Sequence, residues 1–247
     1  MGIKDWLKPA WKDKDRDKRL VAVKELSSQK HLIWVALNDA DEGIREVALD
    51  GLDLSTLWEP KLLERIATSD RPWEIRLTAV DRIEDDATLC RLACTDEHAV
   101  VRWAALRRME SEEFLQKVAT TDAPEDIRIA AIAQLEDEDA LKKIFLGTTC
   151  EWIQLAAVKN IRDDDFLKTV ATSKAGRWVR QAAVQNLQNG EILKDIATSE
   201  QDMFVKKAAV EGIADATVLA EFENDKNGLV RDAVRQTIAN LTETPSQ

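Results

Sequence analysis

Residues 126–135, DIRIAAIAQL, decide the fold, because the same ten-residue pattern returns along most of the chain. It reads GIREVALDGL at 43–52, EIRLTAVDRI at 74–83, VVRWAALRRM at 100–109, WIQLAAVKNI at 152–161, WVRQAAVQNL at 178–187 and FVKKAAVEGI at 204–213. The third position is basic or Gln throughout: Arg19, Arg45, Arg76, Arg102, Arg128, Gln154, Arg180, Lys206 and Arg231, at spacings of 26, 31, 26, 26, 26, 26, 26 and 25 residues. A fixed period of this length marks a stacked array of identical supersecondary units.

With the basic residue as position zero, apolar side chains fall at −1, +3, +4 and +7, one stripe of an α-helix. Ala dominates +2 and +3, where a small side chain lets neighbouring helices approach. Within each unit a second short segment follows: Leu32/Val35/Ala36, Leu63/Ile66/Ala67, Leu89/Leu92/Ala93, Leu115/Val118/Ala119, Leu167/Val170/Ala171 and Leu193/Ile196/Ala197. Each unit is therefore a hairpin of two short helices. Helices below about 12–15 residues are marginal alone, so the hairpins must bury their stripes on one another. The period is tight enough that one helix per unit is expected to span only two turns, partly 3₁₀.

The chain is read as one domain over 1–247: cap and linker at 1–18, repeats at 19–241 and a tail at 242–247. Trp6 and Ala10 take the Leu and Ala places of a capping helix, ahead of the charged linker KDKDRDKR. Arg235 replaces the core residue Val210 of the preceding unit, so the last face should meet water. Five extra residues lie within 53–62, around Trp58.

Composition fits a folded helical protein, with 45% hydrophobic and 33% charged residues and no Tyr. No stretch approaches the roughly 18 consecutive apolar residues of a membrane span, and MGIKDWLKPAW lacks the apolar core of a secretory signal. Three cysteines without an export signal read as reduced thiols, so the cytoplasm is expected. A net charge of −11 disfavours phosphate backbones.

The aliphatic–Arg pair, the two Ala and the Leu resemble HEAT-like repeats, in particular the short bacterial versions found in phycobilin lyases. The second segment resembles leucine-rich repeat variants. The resemblance implies an all-α, right-handed α-solenoid of about nine two-helix units, although 26 residues is well short of the usual HEAT unit. It also implies a scaffold or adaptor more than an activity.

An acid usually stands six residues before the basic position, giving the pairs Asp39/Arg45, Asp70/Arg76, Asp96/Arg102, Asp122/Arg128 and Asp225/Arg231. This resembles the charge ladder of HEAT arrays. An Arg on the core side of its helix has to be paired there. The ladder lapses at Thr148/Gln154 and at Lys174/Arg180, which reads as an uncompensated like-charge pair.

Candidate partner-binding residues follow from two rows. At −2 stand Trp152, Trp178 and Phe204, in register and with Arg177 alongside, suited to a peptide or a flat apolar ligand. At +5 the middle of the chain carries Arg107 and Lys159 between acidic ends. The acidic connectors at 84–86, 110–113, 136–139 and 162–165 read as helix caps.

Cys90, Cys94 and His98 share a spacing of four, but no fourth metal ligand accompanies them. No phosphate loop, HExxH or GxSxG occurs. The expectation is a monomeric, non-catalytic scaffold for a protein or peptide, with no cofactor, no membrane and no nucleic acid. The alternative is a HEAT-like lyase or DNA-glycosylase-type enzyme acting on a bound tetrapyrrole or nucleic acid.

Overall fold

The computed structural model describes residues 9–243. Among these the fold is all-α, with seventeen α-helices and no strand. After a 3₁₀ turn at Ala10–Lys12 come α1 (Arg16–Lys24), α2 (Gln29–Asn38), α3 (Glu42–Asp50), a second 3₁₀ turn (Leu54–Thr56), α4 (Pro60–Ala67), α5 (Trp73–Val80), α6 (Asp86–Thr95) and α7 (Ala99–Arg108). Then follow α8 (Glu112–Thr120), α9 (Glu125–Gln134), α10 (Glu138–Leu146), α11 (Glu151–Val158), α12 (Asp164–Ala171), α13 (Arg177–Asn186), α14 (Gly190–Ser199), α15 (Met203–Gly212), α16 (Ala216–Ala220) and α17 (Gly228–Glu243).

Two compact units divide at Phe114 and Leu115, inside α8. In the first, α2 packs on α3, α4 on α5 and α6 on α7, while the Arg-bearing helices α5 and α7 also meet. In the second, α10 packs on α11, α12 on α13, α14 on α15 and α16 on α17, and α9, α11, α13, α15 and α17 touch in succession.

The stripe read from the sequence is the core. Ile44, Val101, Ile127, Ile153, Val179, Val205 and Val230 at −1 are buried, as are Leu49, Val80, Leu106, Ile132, Val158, Val184 and Val210 at +4. The Ala column at +3, from Ala48 to Ala209, has no room for a larger side chain without repacking. The two-turn length is found in α4, α5, α11 and α12, each of 8 residues, but these are α-helices and not 3₁₀. Both helices of the complete hairpins run 8–10 residues, as in α4, α5, α14 and α15, and only α16 is cut to 5.

The ends differ in part from expectation. Trp6 lies outside the described residues, and Ala10 is exposed in a 3₁₀ turn. Trp11 seals this end instead, its ring 5.0 Å from His31 and 5.2 Å from Trp34. The second half of the charged linker is helical, because Asp15 accepts hydrogen bonds from the Asp17 and Lys18 amides and so starts α1. At the other end Arg235 is exposed, its guanidinium 3.3 Å from Asp232. Thr242 and Glu243 of the expected tail still belong to α17.

The charge ladder exists in another register. Arg19 holds the carboxylate of Asp39 through Nε and Nη2 at 2.9 and 3.1 Å, and Arg76 holds Asp96 at 2.9 and 2.8 Å. Arg180 meets Glu200, and Lys206 meets Asp225, both at 2.5 Å. The acid lies 19–20 residues ahead, in the next repeat. What the cation takes from six residues back is the main-chain carbonyl: Arg45 from Asp39, Arg102 from Asp96, Gln154 from Thr148 and Arg231 from Asp225, at 2.7–2.9 Å. Arg128 departs again and donates to the Ala119 carbonyl, and Asp122 is exposed.

Two readings are thereby corrected. Arg180 is compensated by Glu200, so Lys174/Arg180 is not an unpaired like-charge step. Asp70 is exposed and pairs with neither Arg45 nor Arg76. The five-residue insertion shifts it out of register, and Arg65 and Arg71 instead converge on Glu46, with Arg71 also 2.7 Å from Asp50.

A parallel seam, not anticipated from the sequence, joins position −3 of one repeat to −4 of the next. It contains the Arg16–Asp41 ion pair at 2.8 Å and the Trp73–His98 stack at 4.5 Å and 3°. In the second unit it contains the Cys150 thiol donating to Glu125 at 3.1 Å and the Arg177–Asp202 pair at 2.7 Å. The chemistry changes from step to step while the geometry recurs.

The acidic connectors have two duties. Asp85, Asp137 and Asp163 cap α6, α10 and α12 by accepting first-turn amides. The next acids in line, Asp86, Glu138 and Asp164, accept amide hydrogens from the following connector, at Ser111, Arg162 and Gln188. Buried main-chain donors need such partners.

Candidate functional site

Positions −2, +1 and +5 are spaced as i, i+3 and i+7, so they share one face of the Arg-bearing helix. Within each such helix the −2 and +5 positions, read separately from the sequence, thus share one face. The opposite face is the buried stripe.

In the second unit this face carries two exposed indoles. Trp152 on α11 is 60% exposed and Trp178 on the adjacent α13 is 58% exposed. Leu155 is half-buried between Trp152 and the exposed Lys159 on α11. Both Trp residues sit in the first turn of their helices. The turns are fixed from behind by Ile153 and Val179, which are fully buried.

Phe204 is placed differently. It is half-buried, and the Arg177 guanidinium lies 4.8 Å from its ring centroid while Nε bonds Asp202. Arg177 is therefore committed to the seam and to a cation–π contact. The carboxyl of Asp202 feels burial, which raises its pKa, but the Arg177 hydrogen bond and the Phe204 and Val205 amides bring it below the usual range. Of the three aromatics that the sequence puts in register beside Arg177, two project as indoles and Phe204 is half-buried. Beside them the Glu151 carboxylate occupies the space that a Cβ on Gly176 would need.

In the first unit the same face forms a groove of about 720 Å³ between α5 and α7. Leu77, Val100, Trp103 and Ala104 make its apolar wall, and Asp81, Arg107 and Arg108 its charged end. Arg107 is exposed, whereas Arg108 is drawn back to the Ile83 carbonyl at 3.0 and 3.1 Å.

The remaining candidates are dispersed. Cys90 is buried, and the imidazole of His98 is stacked on Trp73. Among the described residues no three His, Cys, Asp or Glu side chains gather as a metal-holding group. None of the described helices is long and apolar enough to cross a membrane.

No protein family matches this chain, and no curated protein does. Among solved structures, the crystal structure of an engineered protein aligns over 98% of this chain and 97% of that chain, at 18% identity and a TM-score of 0.22. A likeness at that score carries no argument about fold or function.

Proposed function

We propose that this chain is a right-handed α-solenoid of about nine short HEAT-like repeats and serves in the cytoplasm as a monomeric, non-catalytic scaffold. Its partner is a protein or peptide held against the −2/+1/+5 face. The repeat period and the successive packing of hairpins support the solenoid reading.

The observation that carries the functional reading is the exposure of Trp152 and Trp178, at 60% and 58%, on neighbouring helices of one unit. Trp is the side chain most over-represented among binding hot spots, since a large rigid ring buries much area at little entropic cost. Lys159 on the same face adds a charge for orientation, which acts more on specificity and association rate than on affinity.

Native lysate passed over the immobilised wild type and over a Trp152→Ala/Trp178→Ala variant tests this. Both side chains project from the core, so the variant should keep its helical circular dichroism and its unfolding midpoint. A partner retained by the wild type should bind the variant at least tenfold more weakly, corresponding to hot-spot losses of about 2 kcal/mol or more. A folded variant that retains every partner would overturn the reading.

A further inference from the structure

Trp152 and Trp178 occupy the same position on equivalent helices of successive repeats, α11 and α13, which touch. Packed helices lie about 8–10 Å apart, axis to axis, so the two indoles leave the surface one such step apart. Ile153 and Val179, buried next to them in the chain, hold both first turns in place. Neither indole stacks on another ring among the described residues, which leaves their exposed faces open to a ligand.

A step of that size favours one backbone. A polyproline II chain rises about 3.1 Å per residue and returns to the same face every third residue, about 9.3 Å on. A strand returns after about 6.8 Å, and a helix after about 5–6 Å and then about 10.5 Å. A polyproline II segment laid across the helices therefore sets residues i and i+3 on the two indoles. Proline at both places offers each indole a rigid ring and arrives already in this conformation, with little ordering entropy to lose.

The charges beside the indoles select the flank of such a segment. One step before Trp152, on α9, Glu125 and Asp126 are exposed, and Glu151 is exposed beside Trp152 itself. Glu125 accepts the Cys150 thiol hydrogen and Glu151 lies over Gly176, but neither carboxylate meets a Lys or Arg among the described residues. The α13 side differs, because Asp202 there is already paired with Arg177. The exposed Lys159 lies seven residues along α11 from Trp152, about 10.5 Å away, and so stands off the crosswise track. A basic flank is thus favoured over α9.

We propose that the Trp152/Trp178 face binds a proline-rich segment in the polyproline II conformation. Prolines three residues apart cover the two indoles, and a basic residue three further lies over Glu125 and Glu151. This names the chemistry of the partner already assigned to that face and rests on that assignment.

Fluorescence anisotropy of labelled synthetic peptides titrated with the full chain tests the assignment. The peptide Arg-Ala-Ala-Pro-Ala-Ala-Pro and its reversed sequence allow for either chain direction, and the tighter of the two is the reference. The reference should bind saturably. Removing one alanine between the prolines, or replacing Arg by Glu, should each weaken it at least fivefold. Trp178→Ala should weaken it at least tenfold and Glu151→Gln severalfold, both with unchanged circular dichroism. Trp58→Ala, at an exposed indole in the other unit, should leave the affinity unchanged. No saturable binding up to millimolar protein would overturn the proposal, as would equal affinity for the shortened spacing or for the Glu peptide. A lysate partner lost from the Trp152→Ala/Trp178→Ala protein, together with indifference to proline spacing, would also overturn it while leaving that face a docking surface.

Discussion

Arg76 is the residue where burial and charge meet most sharply. Its side chain is 3% exposed and that of Asp96 is 5% exposed, and they meet through two parallel N–H···O bonds. Asp96, with Glu97 at 3.3 Å, holds the guanidinium pKa above its ordinary value. Removing one member of such a pair strands the other in a poorly solvated place, which costs about 3–5 kcal/mol, whereas apolar replacement of both is far milder. Arg76→Leu should therefore lower urea stability by about that amount, and Arg76→Leu/Asp96→Leu should recover most of it. Arg235→Ala, at an exposed site, should move stability by less than about 0.5 kcal/mol. The same pair explains why sequence reading misplaced the ladder. In an array of period 26, the residue six back and the residue twenty ahead occupy the same column, so periodicity cannot separate them. A residue six back lies just before the helix, where its carbonyl faces the cation and its carboxylate faces the preceding repeat. Only the lapses break the tie: Gln154 is neutral where Lys174 stands twenty ahead, and Arg180 keeps its charge opposite Glu200.

Among the elements, the helix starts show how much of the connectors was legible. Capping by Asp85, Asp137 and Asp163 follows from an acid ahead of an apolar stripe. The second duty, in which Glu138 receives the amides of Arg162 and Asp163 at 2.8 and 2.7 Å, depends on how successive hairpins stack and has no local signature. Asp163 combines its cap on α12 with an ion pair to Lys142 at 2.6 Å, which with the Phe166 amide keeps its carboxyl below the ordinary range. Asp163→Ala should lower the urea unfolding midpoint measurably, as lost caps do. Asp165→Ala, two residues on and exposed, should cost less than about 0.5 kcal/mol. The candidate positions were legible as two rows but not as one face of each helix. The covering of Phe204 by Arg177 was hidden because it depends on the seam between repeats, which carries no repeated residue type.

For the molecule as a whole, two ladder acids, Asp39 and Asp225, contribute to the response to pH. In Asp39, burial raises the pKa, but the Arg19 bonds and the Asp41 amide outweigh it, and the net shift is downward. Asp225 behaves likewise under Lys206. A carboxyl whose folded pKa is depressed contributes stability that is complete above its unfolded value and is lost as pH falls through the folded value. With an unfolded Asp near about 3.9, the contribution of these groups should be flat from pH 7 to about pH 4 and fall below that. Asp39→Asn should start lower at pH 7 yet lose less on further acidification, which thermal unfolding between pH 7 and pH 2 would register.

The twenty-residue register has a genealogical consequence. Helical arrays grow and shrink by whole units, and the buried apolar columns here are uniform enough to tolerate such exchange. The ion pairs are not, because Arg19, Arg76, Arg180 and Lys206 each hold an acid of the repeat that follows. Excision of residues 148–173 would preserve each apolar column yet bring Lys174 to the place opposite Arg128, setting cation against cation. Excision of 174–199 would instead present Glu200 to the neutral Gln154. The order of the repeats is thus written in their charges, and a shuffled descendant would carry the mark of where it was cut.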